Sequence, residues 1–241
     1  MTGKEKIVAM IPARMGSTRL AKKNLALING QPMIYYPIAA AKKSGVFDKI
    51  ILNSENEVFA GIAERYGVEF YHRPEKLGSS EAKSDDVVFD FMEHHPADIT
   101  VWVNSTSPLQ SGEEVRAVVR YFQEKKLDGL ITVREEQVHC LYDGQPLNFQ
   151  EDGLFARTQD LIPVQRFVYS VMMWRNKTFQ KTYKEKGYAL FCGKMGYYPV
   201  SKESALIIKT EDDLKMVEAL LVGKEKLGNY DLRYDEVAGD A

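Results

Sequence analysis

The sequence predicts an α/β fold of three layers, with a mainly parallel sheet covered by helices on both faces. Three observations carry this. Apolar runs of strand length alternate regularly with stretches of helical spacing. The runs are continuous and rich in branched residues, as in strands buried on both faces. Capping and stop signals mark the helix ends between them.

In chain order, Ile7–Ile11 reads as the first buried strand, followed by a polar loop from Arg14 to Asn24. Pro32 precedes a helical stretch, Met33 to Ser44, and Lys49–Asn53 is the second strand. Glu57 to Tyr66 has helical spacing and stops at Gly67. Val68–Tyr71 is a short strand, Asp85 to His94 a helix, and Ile99–Val103 a central strand. Ser111-Gly-Glu-Glu114 is a capping-box pattern for a helix to about Lys125, and Gly129–Val133 is one more strand. The pattern then loosens from Arg134 to Arg166, where Asp143-Gly144 and Asp152-Gly153 signal turns in a hairpin-rich insertion. Phe167–Trp174 and Leu206–Ile208 read as strands, and Thr210-Glu-Asp-Asp213 caps a helix to about Val222. The expected organisation is one domain over residues 1–223, carrying an arm at about 134–168, and a polar tail over 224–241.

Composition narrows the chemistry. The 241 residues, 44% hydrophobic and 27% charged, are ordinary for a globular chain and exclude gross disorder. Lys plus Arg number 32 against 34 Asp plus Glu, a formal net charge of −2. No bulk positive field gathers nucleic acid or an anionic membrane, so neither is an expected partner. Cys140 and Cys192 form neither a metal spacing nor a disulfide framework, and His72, His94, His95 and His139 show no ligand spacing. The apolar run Ile7–Ala13 is too short for a membrane span and lacks a cleavage pattern. A cytoplasmic location is the expectation.

An anionic ligand would therefore need a local cluster, and one follows the first strand. Between Ile11 and Asn24 stand Arg14, Arg19, Lys22 and Lys23 beside the small-residue turn Gly16-Ser17. Backbone N–H groups at such a turn can cradle phosphate oxygens, and Arg offers a bidentate fork. A solvated basic loop is the other reading of the same residues. The spacing is not that of a P-loop.

The segment Ala13-Arg-Met-Gly-Ser-Thr-Arg-Leu-Ala-Lys-Lys-Asn24 resembles the opening motif of the cytidylyltransferases that make CMP-activated acidic sugars, chiefly the CMP-N-acylneuraminate synthetases, with the CMP-KDO synthetases as cousins. Asn29-Gly-Gln-Pro-Met-Ile34, Arg73-Pro-Glu-Lys-Leu77, Thr106-Ser-Pro-Leu109 and Thr210-Glu-Asp-Asp-Leu214 match further blocks in order, across nearly the whole chain. The resemblance implies a Rossmann-like nucleotidyltransferase fold and transfer of CMP from CTP to a sugar acid, with release of pyrophosphate. It implies that Ala13, Arg14, Gly16, Ser17, Arg19, Lys23 and Asn24 serve the triphosphate and nucleotide, with Arg14 and Lys23 as catalytic cations. It places Arg73, Ala82 and Ser84 around the cytosine. Asn104, Thr106, Ser107, Gln110 and Tyr169 fall on the acceptor side. The 134–168 segment corresponds to the family's dimerisation arm, so a homodimer is expected.

The departures from the family pattern cluster on the acceptor side. A family Gln is Asn104, a family Arg is Gln110, and the aspartate pair that holds Mg²⁺ in the family falls on Ile207 and Lys209. Neither residue is a ligand for a hard cation. Asp212 and Asp213 suit a helix first turn instead. No protein-held metal is expected here: Mg²⁺ would ride mainly on CTP, and Lys209 would stand as a fixed catalytic cation. Two accounts stay open besides a nonulosonate acceptor. One is a different acid, such as a KDO-like sugar, a phosphonate or a phosphate. The other is a degenerate member that binds nucleotide without turnover.

Overall fold

The computed structural model describes residues 4–228. Eleven strands and six helices follow in chain order: β1 (Ile7–Pro12), β2 (Leu27–Ile28), β3 (Gln31–Pro32), α1 (Tyr35–Ser44), β4 (Lys49–Ser54), α2 (Val58–Tyr66), β5 (Glu69–His72), α3 (Ser84–His94), β6 (Ile99–Val103), α4 (Gly112–Glu124), β7 (Gly129–Glu136), β8 (Leu141–Tyr142), β9 (Gln145–Pro146), β10 (Val164–Arg175), α5 (Asn176–Lys186), β11 (Met195–Pro199) and α6 (Glu211–Leu227). Seven strands form the central sheet in the order β11-β7-β10-β6-β1-β4-β5. All run the same way except β10, which is antiparallel to both β6 and β7.

The alternation along β1 shows why the sheet has two covered faces. Ile7, Ala9 and Ile11 pack with Ile38 of α1, Phe59 of α2 and Phe122 of α4. Val8 and Met10 turn the other way, onto Phe91 of α3 and Phe179 of α5. A strand buried on both faces has no room for charged side chains, and β1 has none. Charged residues are displaced to the strand ends and loops, while the buried Thr100 and Thr132 stay within the sheet by donating to Asn176 Oδ1 and Val171 O.

The capping box read at Thr210 is met in full and the one at Ser111 by half, because the Glu114 carboxylate goes to Ser201 N and Gln110 Nε2. Ser111 Oγ accepts the Glu114 N–H, and Thr210 with Asp213 forms a reciprocal capping box. Two readings need correction. Leu206–Ile208 is not a strand; the sheet is completed instead by β11, and Ile208 is a buried anchor in the connecting chain, its N–H donating to Thr106 O at 2.9 Å. The proposed tail start at Lys224 lies inside α6, which runs to Leu227; residues 229–241 fall outside the described chain.

The segment after β7 is a continuation of the β7–β10 ladder, with Val164 opposite Glu136. Beyond it sits the β8–β9 hairpin, turned by Asp143 and Gly144 with both φ angles positive. Leu154 is 97% exposed and Phe155 81% exposed on this arm. Where β10 enters the sheet it bulges: Phe167 faces Val133 and Met172 faces Ile131, so residues 168–171 stand opposite Thr132 alone. Thr132 Oγ1 fixes the bulge, accepting the Val171 N–H at 3.1 Å. Tyr169, inside it, takes φ +60°, an uncommon position for a bulky side chain.

Replacing Thr132 by Val should strand that buried N–H and cost about 1–3 kcal/mol. Urea denaturation checks this: the midpoint should fall with an unchanged slope.

Candidate active site

The loops that follow β1, β5 and β6 open at the carboxyl ends of the parallel strands, where a doubly covered sheet places ligands. They enclose a cleft of about 300 Å³. Ala13, Arg14, Ser17, Arg19, Lys23 and Asn24 of the basic loop line one wall. Arg73, Ala82 and Ser84 line another, and Asn104 with Thr106 lines a third. Eleven of the sequence-selected residues therefore meet in one place.

The basic loop leaves β1 under constraint. Ala13 N–H donates to Asn53 O at 2.9 Å, extending the β1–β4 ladder by one rung. Ser17 N–H turns back to Met15 O, and Asn24 Nδ2 donates to Arg14 O at 3.2 Å across the loop. Arg14 Nη1 reaches Ser79 O at 3.2 Å on the facing loop. Lys23 Nζ donates to Ile208 O at 3.2 Å, tying the loop to the chain before α6. Burial, with Arg19 and Arg14 close by, pulls the Lys23 ammonium down from 10.5 to about 8.

Arg73 is only 4% exposed. Its Nη2 donates to Ala13 O at 2.9 Å and to Glu55 Oε2 at 2.8 Å, and Nη1 to Asn53 O at 3.4 Å. Glu55 Oε1 in turn accepts the Met15 N–H at 2.9 Å. Arg73 is thus a strut beneath the loop, and of its nitrogens Nε alone has no protein partner. Ser84 opens α3, whose positive end faces the cleft. The acids of that first turn are held elsewhere: Asp85 by the Ala189 and Leu190 N–H groups, Asp86 by the Tyr183 hydroxyl.

Asn104 lines the cleft, but its amide builds the loop. Oδ1 accepts from Thr106 N and Oγ1, and Nδ2 donates to Tyr169 O at 3.0 Å. The remaining selected residues lie apart. Gly16 faces an open hollow on the far side of the basic loop, because the Ser17–Met15 turn points it outward. Ser107 and Gln110 are buried behind the cleft wall, and the Gln110 amide bonds Glu114 on α4. Tyr169 and Lys209 line a neighbouring cavity of about 330 Å³ with Arg166, Ile207 and Met216. The Asn104–Tyr169 bond joins the two spaces.

Sequence reading missed Glu55, Ser79, Ser80 and Trp102. Trp102 lines the cleft floor because it alternates with Val101 and Val103, which face the opposite layer. That alternation was available in the sequence; the pairing of Glu55 with Arg73 had no local signal.

The two positions where the family resemblance places the metal-holding aspartates carry Ile207 and Lys209, and neither side chain offers an oxygen ligand. Ile207 packs against Val168, Val200 and Ala205. Asp213 Oδ2 accepts from Lys209 N, Thr210 N and Thr210 Oγ1. Among the described residues, no cluster of three or more His, Cys, Asp or Glu is placed to hold a metal.

A family described as Cytidylyltransferase matches residues 8–234. The chain belongs to this cytidylyltransferase family. An N-acylneuraminate cytidylyltransferase of Streptococcus agalactiae serotype V is 28% identical over 217 residues, covering 86% of this chain and 51% of that protein. The chain thus spans about half the length of the curated relatives it matches first. A pseudaminic acid cytidylyltransferase of Campylobacter jejuni is 29% identical over 168 residues, covering 65% of this chain and 72% of that protein. Among solved structures, a CMP:2-keto-3-deoxy-manno-octonic acid synthetase complexed with CTP shares the fold at a TM-score of 0.67 and 16% identity, covering 91% of this chain and 99% of that one.

An anion that relies on a charged Lys23 should bind with constant affinity below about pH 8 and progressively more weakly above it, by up to about tenfold per pH unit. Calorimetry with tripolyphosphate against Lys23→Arg separates this from the ligand's own protons, since Arg stays charged and should flatten the decline.

Proposed function

We propose that this cytidylyltransferase transfers CMP from CTP to an acidic sugar of the N-acylneuraminate or nonulosonate type and releases pyrophosphate. The observation that carries the reading is the convergence of Arg14, Arg19 and Lys23 on a cleft at the strand ends, opposite the positive end of α3. An acceptor hydroxyl attacks the α-phosphorus of CTP, and the bond to the β-phosphate oxygen breaks. Negative charge grows on the departing pyrophosphate, where Arg14 and Lys23 act as fixed counter-charges. Arg73, Ala82 and Ser84 form the wall that would receive the cytosine. The relatives named for N-acylneuraminate and pseudaminic acid support an acidic sugar as acceptor.

One observation favours a second reading, a different acid such as a KDO-like sugar, a phosphonate or a phosphate. The cavity beside the cleft carries the Lys209 ammonium and the Ile207 side chain where the family resemblance calls for carboxylates. Lys209 would meet the acid of the acceptor, and Mg²⁺, where the reaction uses it, would be carried by the triphosphate. A cytoplasmic homodimer completes the proposal. Its support is the arm over residues 134–168, where Leu141, Tyr142, Leu154, Phe155 and Ile162 stand exposed.

The test is pyrophosphate release with CTP against a panel of sugar acids and phosphonates, with and without Mg²⁺. Turnover should require CTP rather than ATP, and Arg14→Ala should lower it on the order of a hundredfold. Absence of turnover with retained CTP binding would favour the degenerate account. Lys209→Ala should weaken the acidic acceptor while leaving CTP affinity unchanged. Light scattering at micromolar concentration should report twice the 27.4 kDa chain mass.

A further inference from the structure

The basic loop is a short, cation-rich segment whose charges repel one another, and its shape is held by bonds to neighbouring protein groups. Its main-chain anchor on the side away from the cleft is one carboxylate. Glu55, just past the end of β4, sends Oε1 to the Met15 N–H at 2.9 Å, in the middle of the loop. Its Oε2 holds Arg73 Nη2 at 2.8 Å, and the same Nη2 grips Ala13 O at 2.9 Å, at the loop's first residue. Both side chains are buried, 4% exposed for Arg73 and 11% for Glu55. The Glu55 main chain is fixed as well, since its carbonyl lies 2.9 Å from His72 Nε2. The seat exists because residue 78 is a glycine. A Cβ there would stand 2.3 Å from Glu55 Cδ and Cγ, a distance no side chain tolerates.

We propose that Glu55 is a positioning residue for the reaction, and that Gly78 is small so that its carboxylate can reach the loop. The inference rests on the reading of the cleft as the triphosphate site. Glu55 touches no substrate there. It sets the loop backbone and the Arg73 strut before the nucleotide arrives, so that binding does not have to order them. A buried Arg without its carboxylate would also lose the partner that balances its charge, and the strut would leave Ala13 O.

The experiment uses the full chain and two independent perturbations of one contact. Glu55→Gln keeps the size of the side chain but removes the charge. Gly78→Ala leaves Glu55 intact and pushes it from its seat. Glu64→Gln, an exposed acid on α2 away from this seat, is the control. Amide hydrogen exchange of the ligand-free protein reads the loop directly. Both variants should speed exchange at Met15 while the amides of β1 stay protected. Kinetics with CTP read the consequence: KM for CTP should rise on the order of tenfold to a hundredfold, with KM for the acceptor unchanged. Glu55→Asp, which keeps the charge but is shorter, should fall between wild type and Gln. Unchanged Met15 exchange in Gly78→Ala would overturn the proposal, whatever the nucleotide does. So would a lower melting temperature for Glu55→Gln with wild-type exchange and wild-type KM, the signature of a merely structural pair. If wild type fails to bind CTP while the exchange result holds, the positioning role stands and the reading of the cleft fails.

Discussion

The structure depends on one constraint: a sheet covered on both faces has no place for charged side chains except where its strands end. β1 illustrates it, with every residue up to Ile11 buried and apolar. Because β1, β4, β5 and β6 run the same way, their loops crowd onto a single edge, and the charged residues they carry must face one another. The cleft is a consequence of that crowding. Like charges are brought close only where a compensating anion is expected: Arg14 and Lys23 bond the carbonyls of Ser79 and Ile208, and Asp213 is the acid that acts on Lys23.

The reversed strand β10 supplies the other half. Running against its neighbours, it brings its N-terminal residues to the edge where the parallel strands terminate. The bulge opposite Thr132 then turns Tyr169 out of register, and Asn104 catches its carbonyl. The cavity beside the cleft is bounded by this bulge and by the chain that leads into α6. Its shape is set by main-chain geometry more than by side-chain identity, which is why the polar atoms of Asn104 are spent on the scaffold.

The elements with strong local signals were legible in the sequence. β1, β6, α3 and α4 lie within a residue or two of their expected bounds, because apolar runs and caps are short-range features. The basic loop was legible from its charge density against a nearly neutral chain, and family resemblance pointed to Arg73 and Ser84. What was hidden depends on contacts between distant segments. Glu55 looks like any acid after a strand, and its role appears only when Arg73 arrives from eighteen residues away. Leu206–Ile208 has strand composition, but its hydrogen bonds go to Thr106 and Lys23 rather than to a ladder. Gln110 is expected on the acceptor side by resemblance, but it is buried, and its amide donates to Glu114 in the first turn of α4.

The two spaces are built in different ways, and this bears on how such a protein can change. Arg14, Arg19 and Lys23 of the cleft come from a single stretch between Pro12 and Leu25, tethered at few points. The neighbouring cavity is assembled from the β10 bulge, the chain from Ala205 to Lys209 and one face of α6. A contiguous segment is inherited as a block. A surface stitched from separate segments can be altered one piece at a time, at Ile207, Lys209, Tyr169 or Met216, without touching the block. Divergence among descendants of such a scaffold should therefore accumulate on the stitched side, with new partners acquired while the old donor is retained.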